Sequence, residues 1–199
     1  MNEGYWAREP DIDELRRLYD QLKTDPGSAV AGLESLAGRG STMSMWYLAE
    51  AYMGTNLPKD IAKAKYWYGQ ADQQGSSEAS FMLGRICAQE RDYESALAAF
   101  SRSASRGYLP SIYRLAMMYR DGSGTKTDID RCRMLLEEAT SKGHIFAKRD
   151  LATLYISGSF GPKLVFRGFA LLATLARDVA GLLVSAIRHG PVIDNRLLG

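Results

Sequence analysis

The sequence has little of the chemistry that metal sites and disulfides require. Its 199 residues include two cysteines, Cys87 and Cys132, and two histidines, His144 and His189. Neither histidine has a cysteine or an acidic residue at ligand spacing, and no Cys-x-x-Cys or His-Glu-x-x-His motif is present, so we expect no metal site. Both cysteines fall at positions of a repeat that other copies fill with core residues. This favours buried free thiols over a disulfide.

The chain also lacks strong net charge, an N-terminal signal and a long apolar run. Its formal net charge is +2, too small to suggest a surface for nucleic-acid phosphates. Residues 1–10 lack the basic start, apolar stretch and cleavage site of a secretory signal, so we expect a cytoplasmic location. The most apolar segment, Phe166 to Ile187, is interrupted by Arg177 and Asp178. A membrane-spanning helix needs about 20 continuous apolar residues, so a span is not expected.

What the sequence does contain is a repeat of 32 to 36 residues. Four glycines that end helix-like segments are spaced by 35, 32 and 36 residues: Gly40, Gly75, Gly107 and Gly143. Four leucines keep the same steps: Leu48, Leu83, Leu115 and Leu151. Four residues after these leucines come Tyr52, Cys87, Tyr119 and Tyr155. A degenerate earlier copy contains Leu15, Tyr19, Ala29 and Leu36. Self-similarity at this period predicts a solenoid of about five units.

The copy from Ser111 to Gly143 shows how one unit is built. Its first helix carries apolar residues at the spacing of one helix face, and Asp121-Gly122-Ser123-Gly124 ends it because glycine accepts a left-handed backbone. The second helix starts near Asp128, which predicts a helix hairpin. Small residues stand where the two helices approach closely. They are Ala49, Gly84, Ala116 and Ala152 on first helices, and Ala64, Ala96, Cys132 and Gly168 on second helices.

Two features that resemble sites of chemistry have simpler structural interpretations. Gly122-Ser123-Gly124 follows a helix and lacks the Gly-Lys-Ser/Thr ending of a phosphate loop, so it predicts a hairpin turn. Asp60 and Asp128 stand at the start of second helices, where an aspartate accepts hydrogen bonds from free backbone N–H groups and stabilises the helix by about 1 kcal/mol. No nucleophile is paired with a base. We therefore predict no catalytic residues and no cofactor.

Together these copies resemble the Sel-one-like repeats, a subclass of tetratricopeptide-type solenoids. The family pattern is approximately A-x3-L-G-x2-Y-x2-G-x-G-x3-D-x2-K-A-x2-W-x3-A-A-x2-G. One copy matches nearly all of it: Leu115, Tyr119, Gly122, Gly124, Asp128, Ala139 and Gly143. Another matches the second half: Asp60, Lys63, Ala64, Trp67, Ala71 and Gly75. The last copy matches the first half: Ala147, Leu151, Tyr155 and Gly158. The copy from Ser76 to Gly107 lacks the glycine loop, which predicts a tighter turn there.

The resemblance covers most of residues 11 to 180 and implies an all-α fold, a right-handed α/α solenoid. It divides the chain into an extension 1–10, a degenerate repeat 11–40, repeats 41–75, 76–107 and 108–143, a last repeat with a C-terminal capping helix 144–190, and a tail 191–199. It also implies a non-enzymatic scaffold or adaptor for another protein, in bacterial signalling or in envelope, polysaccharide or secretion assembly.

In such solenoids the first helices line the concave face, so their exposed edge is the candidate surface for a peptide or helix. The candidates are Trp46, Glu50, Met53, Phe81, Arg85, Tyr113, Met117, Arg120 and Arg149. Three aromatic residues recur two positions before the leucines, and aromatic residues beside Arg and Met are typical of interface hot spots. The alternative is that Trp46, Phe81 and Tyr113 pack between neighbouring hairpins.

The apolar segment Phe166 to Ile187 has two interpretations. It forms a last helix, or a helix pair, packed on the final unit. Its apolar residues on most sides also favour a homodimer contact or docking at a membrane surface, with the inner membrane as the expected site. The alternative function is therefore a membrane-associated assembly factor attached through this segment.

Overall fold

The computed structural model describes residues 9–158 and 160–189, the last eight of them by their backbone alone. These residues form ten α-helices, and no β-strand occurs among them. The predicted all-α class is confirmed. The chain divides into two compact units, of which unit 1 ends at Glu90 and unit 2 begins at Arg91.

Unit 1 contains five helices whose apolar faces share one core. They are α1 (Ile12–Gln21), α2 (Pro26–Gly38), α3 (Thr42–Glu50), α4 (Ile61–Gln73) and α5 (Ser77–Gln89). Helix α3 continues into a π-helical turn, Ala51–Thr55, which the sequence pattern did not predict. Each helix packs against the next in the chain. Leu48 is fully buried in this core, and Leu83 is half-buried against it.

Unit 2 also contains five helices. They are α6 (Tyr93–Ser105), α7 (Leu109–Asp121), α8 (Ile129–Ser141), α9 (Ile145–Ile156) and α10 (Pro162–His189). Successive helices again pack against each other. Leu115 and Leu151 are buried. Three of the four repeat leucines are therefore buried and Leu83 is half-buried, as a common register requires. We call α1, α3, α5, α7 and α9 first helices, and the other five second helices.

The closing glycines end the second helices α2, α4, α6 and α8 in the same way. Gly40, Gly75, Gly107 and Gly143 have φ values between 82° and 91°. In each case the N–H of the following residue donates to a carbonyl five residues earlier, for example Ser41 to Leu36 O at 3.0 Å and His144 to Ala139 O at 3.0 Å. This is the Schellman arrangement, which favours glycine because its left-handed backbone is strained for other residues. The repeat glycines thus turn the chain into the next first helix.

The small residues lie where the hairpin helices meet. Ala49, Ala64, Ala116 and Ala152 are fully buried. A Cβ atom on Gly168 of α10 would lie 2.8 Å from the carbonyl oxygen of Ala152 on α9, so only glycine fits that contact. Cys87 and Cys132 are both buried thiols, as predicted. Burial raises the pKa of the Cys132 thiol to about 11, which keeps it protonated and unreactive at neutral pH.

The C-terminal apolar segment is one helix and not a helix pair. Arg177 and Asp178 interrupt its apolar sequence but not its backbone, and Asp178 pairs with Lys148 of α9 at 2.5 Å. Helix α10 therefore serves as the second helix of the last hairpin and continues beyond it.

At the other end, Glu9 accepts hydrogen bonds from the Ser41 hydroxyl and from the Met43 N–H at 2.9 Å. Residues 1–8 of the predicted extension and the tail 191–199 lie outside the described residues.

Candidate protein-binding surfaces on the first helices

The nine candidate residues divide between the two units. Trp46, Glu50 and Met53 belong to α3 and its π-helical turn, and Phe81 and Arg85 to α5; we call these five the unit 1 patch. Tyr113, Met117 and Arg120 belong to α7, and Arg149 to α9; we call these four the unit 2 patch.

The first helices that carry the candidates begin at side-chain caps in three of four cases. The Ser41 hydroxyl accepts from the Ser44 N–H at 3.1 Å, and the Ser76 hydroxyl accepts from the Ala79 N–H at 3.1 Å. In α9 the cap is His144, whose Nδ1 accepts from the Ala147 N–H at 3.1 Å. Tyr108, at the start of α7, makes no side-chain cap. These caps fix where each first helix starts and hence which residues it exposes.

In the unit 1 patch, Trp46 and Glu50 are held by Tyr68 of the second helix α4. The Trp46 ring is half-buried and meets Tyr68 edge-on, with the ring centroids 5.3 Å apart. Tyr68 is fully buried, and its hydroxyl donates to Glu50 Oε1. Burial, and secondly this hydrogen bond to a carboxylate, raise the pKa of Tyr68. Glu50 is therefore engaged inside the unit and only half-exposed.

The rest of the unit 1 patch is built around Phe81. Its ring is only 7% exposed, and the Arg85 guanidinium lies above it, 6.0 Å from the ring centroid. Arg85 is exposed and also contacts the sulfur of Met82 at 3.7 Å. Met53 is half-buried against the core. The accessible part of this patch is consequently Arg85, with portions of Trp46, Glu50 and Met53.

In the unit 2 patch, Tyr113 is a buried anchor. It is 7% exposed and stacks on the His144 ring at a centroid distance of 4.7 Å. Its hydroxyl donates to Asp150 Oδ2 at 2.8 Å. Burial, and secondly the hydrogen bond to Asp150, raise the pKa of Tyr113 to about 12. The phenol is therefore neutral at physiological pH and acts as a hydrogen-bond donor to the carboxylate.

The two arginines of the unit 2 patch are exposed but fixed by neighbours. Arg149 Nε donates to Asp150 Oδ1 at 2.7 Å, and its guanidinium lies 5.3 Å from the centroid of the Phe146 ring. Arg120 Nε donates to Asp121 Oδ1 at 2.8 Å. The Arg149 and Arg120 side chains remain 53% and 46% exposed. Met117 is half-buried beside this network.

The burial of the three aromatic residues distinguishes between their two interpretations, packing between hairpins and partner binding. Phe81 and Tyr113 are buried, which favours the packing alternative for these two rings, while Trp46 is half-buried. The partner-binding role of the nine residues stays a prediction.

The sequence reasoning missed Asp150 and His144. His144 directly follows a closing glycine, where two other copies have the capping residues Ser41 and Ser76, so its position in the repeat was a usable signal. Asp150 had no such signal, because its role depends on the contact between α7 and α9.

Stacked helix hairpins of this kind define the α/α solenoid class, and comparison with solved structures agrees. A Sel1 repeat protein from Oxalobacter formigenes superposes with a TM-score of 0.69 at 22% identity, covering 87% of this chain and 77% of that one. The c5321 protein, a protective antigen of uropathogenic Escherichia coli with an SLR fold, superposes with a TM-score of 0.67 at 23% identity. That match covers 80% of this chain and 37% of that one. At these identities the likeness shows the fold.

Sequence comparison identifies the repeat. The Sel1 repeat model matches residues 42–76 and 109–144. Chitin synthase regulatory factor 3 of Schizosaccharomyces pombe is 29% identical over 101 residues, which are 48% of this chain and 11% of that protein. A putative sel1-like repeat-containing protein of Acanthamoeba polyphaga mimivirus is 34% identical over 79 residues, 40% of this chain and 14% of that protein. The chain thus spans only a small part of these relatives' length. Two segments of the chain are thus Sel1 repeats, and proteins built from such repeats generally act as protein–protein interaction scaffolds.

Proposed function

We propose that this chain is a non-enzymatic scaffold that binds another protein through the exposed parts of the two patches, with the unit 2 patch as the main contact. The bacterial setting expected from the sequence, in signalling or in envelope, polysaccharide or secretion assembly, is part of the proposal. Two bacterial proteins with the same fold support that setting, although the matched relatives also include a yeast and a viral protein.

The proposal rests on Arg149, whose side chain is exposed and yet held in a fixed position. Its side chain is 53% exposed, yet its Nε is fixed by Asp150 and its guanidinium stacks on Phe146. The Arg149 side chain makes no other hydrogen bond among the described residues, so its terminal amino groups are open to a partner. A guanidinium already held in place loses less conformational entropy on binding, which is the property of an interface hot spot.

The chemistry of the unit 2 patch indicates what such a partner offers. Arg149 and Arg120 donate hydrogen bonds to a carboxylate or to backbone carbonyl groups, whereas Met117 and Phe146 provide half-buried apolar surface beside them. Asp121 and Asp150 balance the two positive charges locally. We therefore expect a peptide or helix that presents apolar side chains together with hydrogen-bond acceptors, and not a strongly acidic ligand.

The experiment compares partner binding by the whole protein and by the double variant Arg120→Ala, Arg149→Ala. Proteins captured from a lysate of the source organism are identified, and each is then produced pure and titrated against both proteins. We expect at least one partner whose Kd rises by about 100-fold in the double variant, since exposed hot-spot residues contribute roughly 1–2 kcal/mol each.

The matched control is Arg102→Ala, which removes an exposed arginine from the second helix α6. It leaves the binding of that partner unchanged if the first helices carry the contact. Equal losses in the control and in the double variant, or no loss in either, contradict the proposal.

A second contact is supported by the exposed apolar side chains of α10, since Phe166 and Phe169 are 77% and 57% exposed. The sequence assigned such a surface to a homodimer or to a membrane surface. Of the helices that the structure describes, none has both the length and the apolar character needed to cross a bilayer. Membrane docking through α10 is tested by flotation with vesicles of phosphatidylcholine and phosphatidylglycerol, in which the alternative function predicts that the protein rises with the vesicles.

A further inference from the structure

The outer face of α10 carries an apolar stripe. Phe166, Phe169 and Leu172 form its N-terminal half and are 77%, 57% and 39% exposed. Alanines form its C-terminal half at helical spacing: Ala173, Ala176 and Ala180, all exposed. The opposite face of the helix, which includes the buried Gly168, packs against α9. No other helix among the described residues of unit 2 covers the stripe, and we call these six residues the α10 stripe.

The preceding second helix is covered at the position equivalent to Leu172. Leu136 of α8 occupies the repeat position of Leu172, four residues after Cys132 as Leu172 is four after Gly168. Leu136 is 1% exposed, because it lies in one core with residues of α7 and α9. Helix α9 thus packs on one side of α8, and the corresponding side of α10 is open. The α10 stripe continues, at the end of unit 2, an interface that already exists inside the unit.

We propose that the α10 stripe is the contact between two copies of this chain, with the two α10 helices packed antiparallel about a two-fold axis. This orientation fits the stripe better than a parallel one, because the bulky Phe169 then faces a small residue. With the axis between residues 174 and 175, Phe169 of one copy lies opposite Ala180 of the other, and Ala173 lies opposite Ala176. In a parallel pair, Phe169 meets Phe169 and the alanines leave a gap.

The size of the stripe agrees with a stable dimer. An aromatic side chain contributes on the order of 200 Å² when buried, so the exposed parts of the two phenylalanines amount to roughly 270 Å². Leu172, the three alanines and Val179, which adjoins the stripe and is 40% exposed, bring the apolar area of each copy to roughly 550 Å². A two-fold contact then buries at most about 1,100 Å² in total, just above the roughly 1,000 Å² that a biological interface should exceed. As a patch on a monomer, the same area is at the upper end of what is usual.

This inference rests on the proposed contact role of α10 and is independent of the unit 2 patch. The first test measures the molar mass of the full chain by sedimentation equilibrium over a concentration series. We expect a dimer of twice 22.0 kDa at high concentration. Ala173→Glu would bury two carboxylates near the axis with no opposite charge to pair them. We therefore expect the mass of the monomer at every concentration.

The control is Ala98→Glu, the same change at an exposed alanine of the second helix α6, which leaves the dimer intact. The monomeric Ala173→Glu variant keeps its affinity for a partner of the unit 2 patch. Failure of the dimer and failure of the scaffold proposal are therefore separate outcomes.

The second test distinguishes the orientation. With a rise of about 1.5 Å per residue, the antiparallel pair separates the two copies of residue 173 by about 5 Å along the axis, and those of residue 166 by about 25 Å. Under mild oxidation we expect Ala173→Cys to form a disulfide-linked dimer and Phe166→Cys not to form one. The two native cysteines are buried and do not compete.

Three results overturn the proposal. The first is a chain that remains monomeric at all concentrations. The second is equal cross-linking at residues 166 and 173, which indicates a parallel or nonspecific contact. The third is flotation of a monomeric chain with phosphatidylcholine–phosphatidylglycerol vesicles that is abolished by Ala173→Glu, which assigns the stripe to a membrane surface.

Discussion

The glycine-loop hairpin of unit 1, α3–α4, and that of unit 2, α7–α8, close their loops with the same bonds. The Asp60 N–H donates to Tyr52 O at 2.8 Å, and the Asp128 N–H donates to Tyr119 O at 2.8 Å. A cation three residues after each aspartate lies over the same tyrosine: Lys63 at 4.9 Å from the Tyr52 centroid, and Arg131 at 4.8 Å from the Tyr119 centroid. The same motif residues therefore make the same contacts at the loop of both hairpins.

The two loops differ in what surrounds their glycines. Gly54 has φ 101°, and a Cβ atom there would touch only the Lys59 side chain, at an ordinary 3.5 Å. Gly124 has φ 71°, and a Cβ atom there would lie 2.2 Å from the carbonyl oxygen of Tyr93, at the start of α6. One loop thus needs glycine for its backbone conformation alone. The other needs it also because the loop packs directly on a helix, so a loop glycine serves different physical purposes in the two units.

The largest effect should come from replacing these glycines. We expect Gly124→Ala to lower the free energy of unfolding by about 3 kcal/mol or more, because left-handed strain and a clash with rigid backbone add. Gly54→Ala should cost only the strain, about 1–2 kcal/mol. Urea denaturation of both variants measures the difference. Equal losses of unfolding free energy would mean that the loop of unit 2 relaxes away from Tyr93. The packing of that loop would then not require glycine.

The second helices of the two units give the next prediction. Gly168→Ala on α10 forces a Cβ atom to 2.8 Å from Ala152 O, so we expect a net loss of about 1–2 kcal/mol after the helix-propensity gain of alanine. Gly69 of α4 is the matched control, because no atom lies within 4 Å of the Cβ position there. Gly69→Ala should stabilise the protein by about 0.5–1 kcal/mol. A stabilising Gly168→Ala would show that α9 and α10 adjust their spacing.

The sequence predicted the parts of this fold that depend on local spacing. The closing glycines, the caps Asp60 and Asp128 and the small residues between hairpin helices all follow from conformational preferences within a few residues. It did not predict the burial of Phe81 and Tyr113 or the role of Asp150, because these depend on how one hairpin packs on the next. It also allowed a break at Arg177, where the pairing of Asp178 with Lys148 holds a continuous helix.

The buried Tyr113 makes the stability of the protein depend on pH. Because burial and the Asp150 hydrogen bond raise the pKa of Tyr113 to about 12 from 10.0, the folded state resists ionisation that the unfolded chain undergoes. The stability that this provides is present below pH 10 and is lost as the pH rises towards 12. We expect Tyr113→Phe to show a smaller loss of unfolding free energy over this range than the wild type. An unchanged alkaline loss in the variant would show that Tyr113 ionises freely in the fold.

The smallest expected effect comes from the two aspartates that cap the second helices after these loops, and it tests whether the two caps are equivalent. The Asp60 carboxylate accepts from the Lys63 N–H at 3.1 Å, and the Asp128 carboxylate accepts from the Arg131 N–H at 2.8 Å. Asp60→Ala and Asp128→Ala should each cost about 1 kcal/mol, and asparagine at either position should retain most of the stability because its amide oxygen accepts the same bond. Thermal denaturation of the four variants compares them directly. If Asp128→Ala costs much more than Asp60→Ala, the packing of the unit 2 loop on α6 also depends on the cap, and the two closures are not interchangeable.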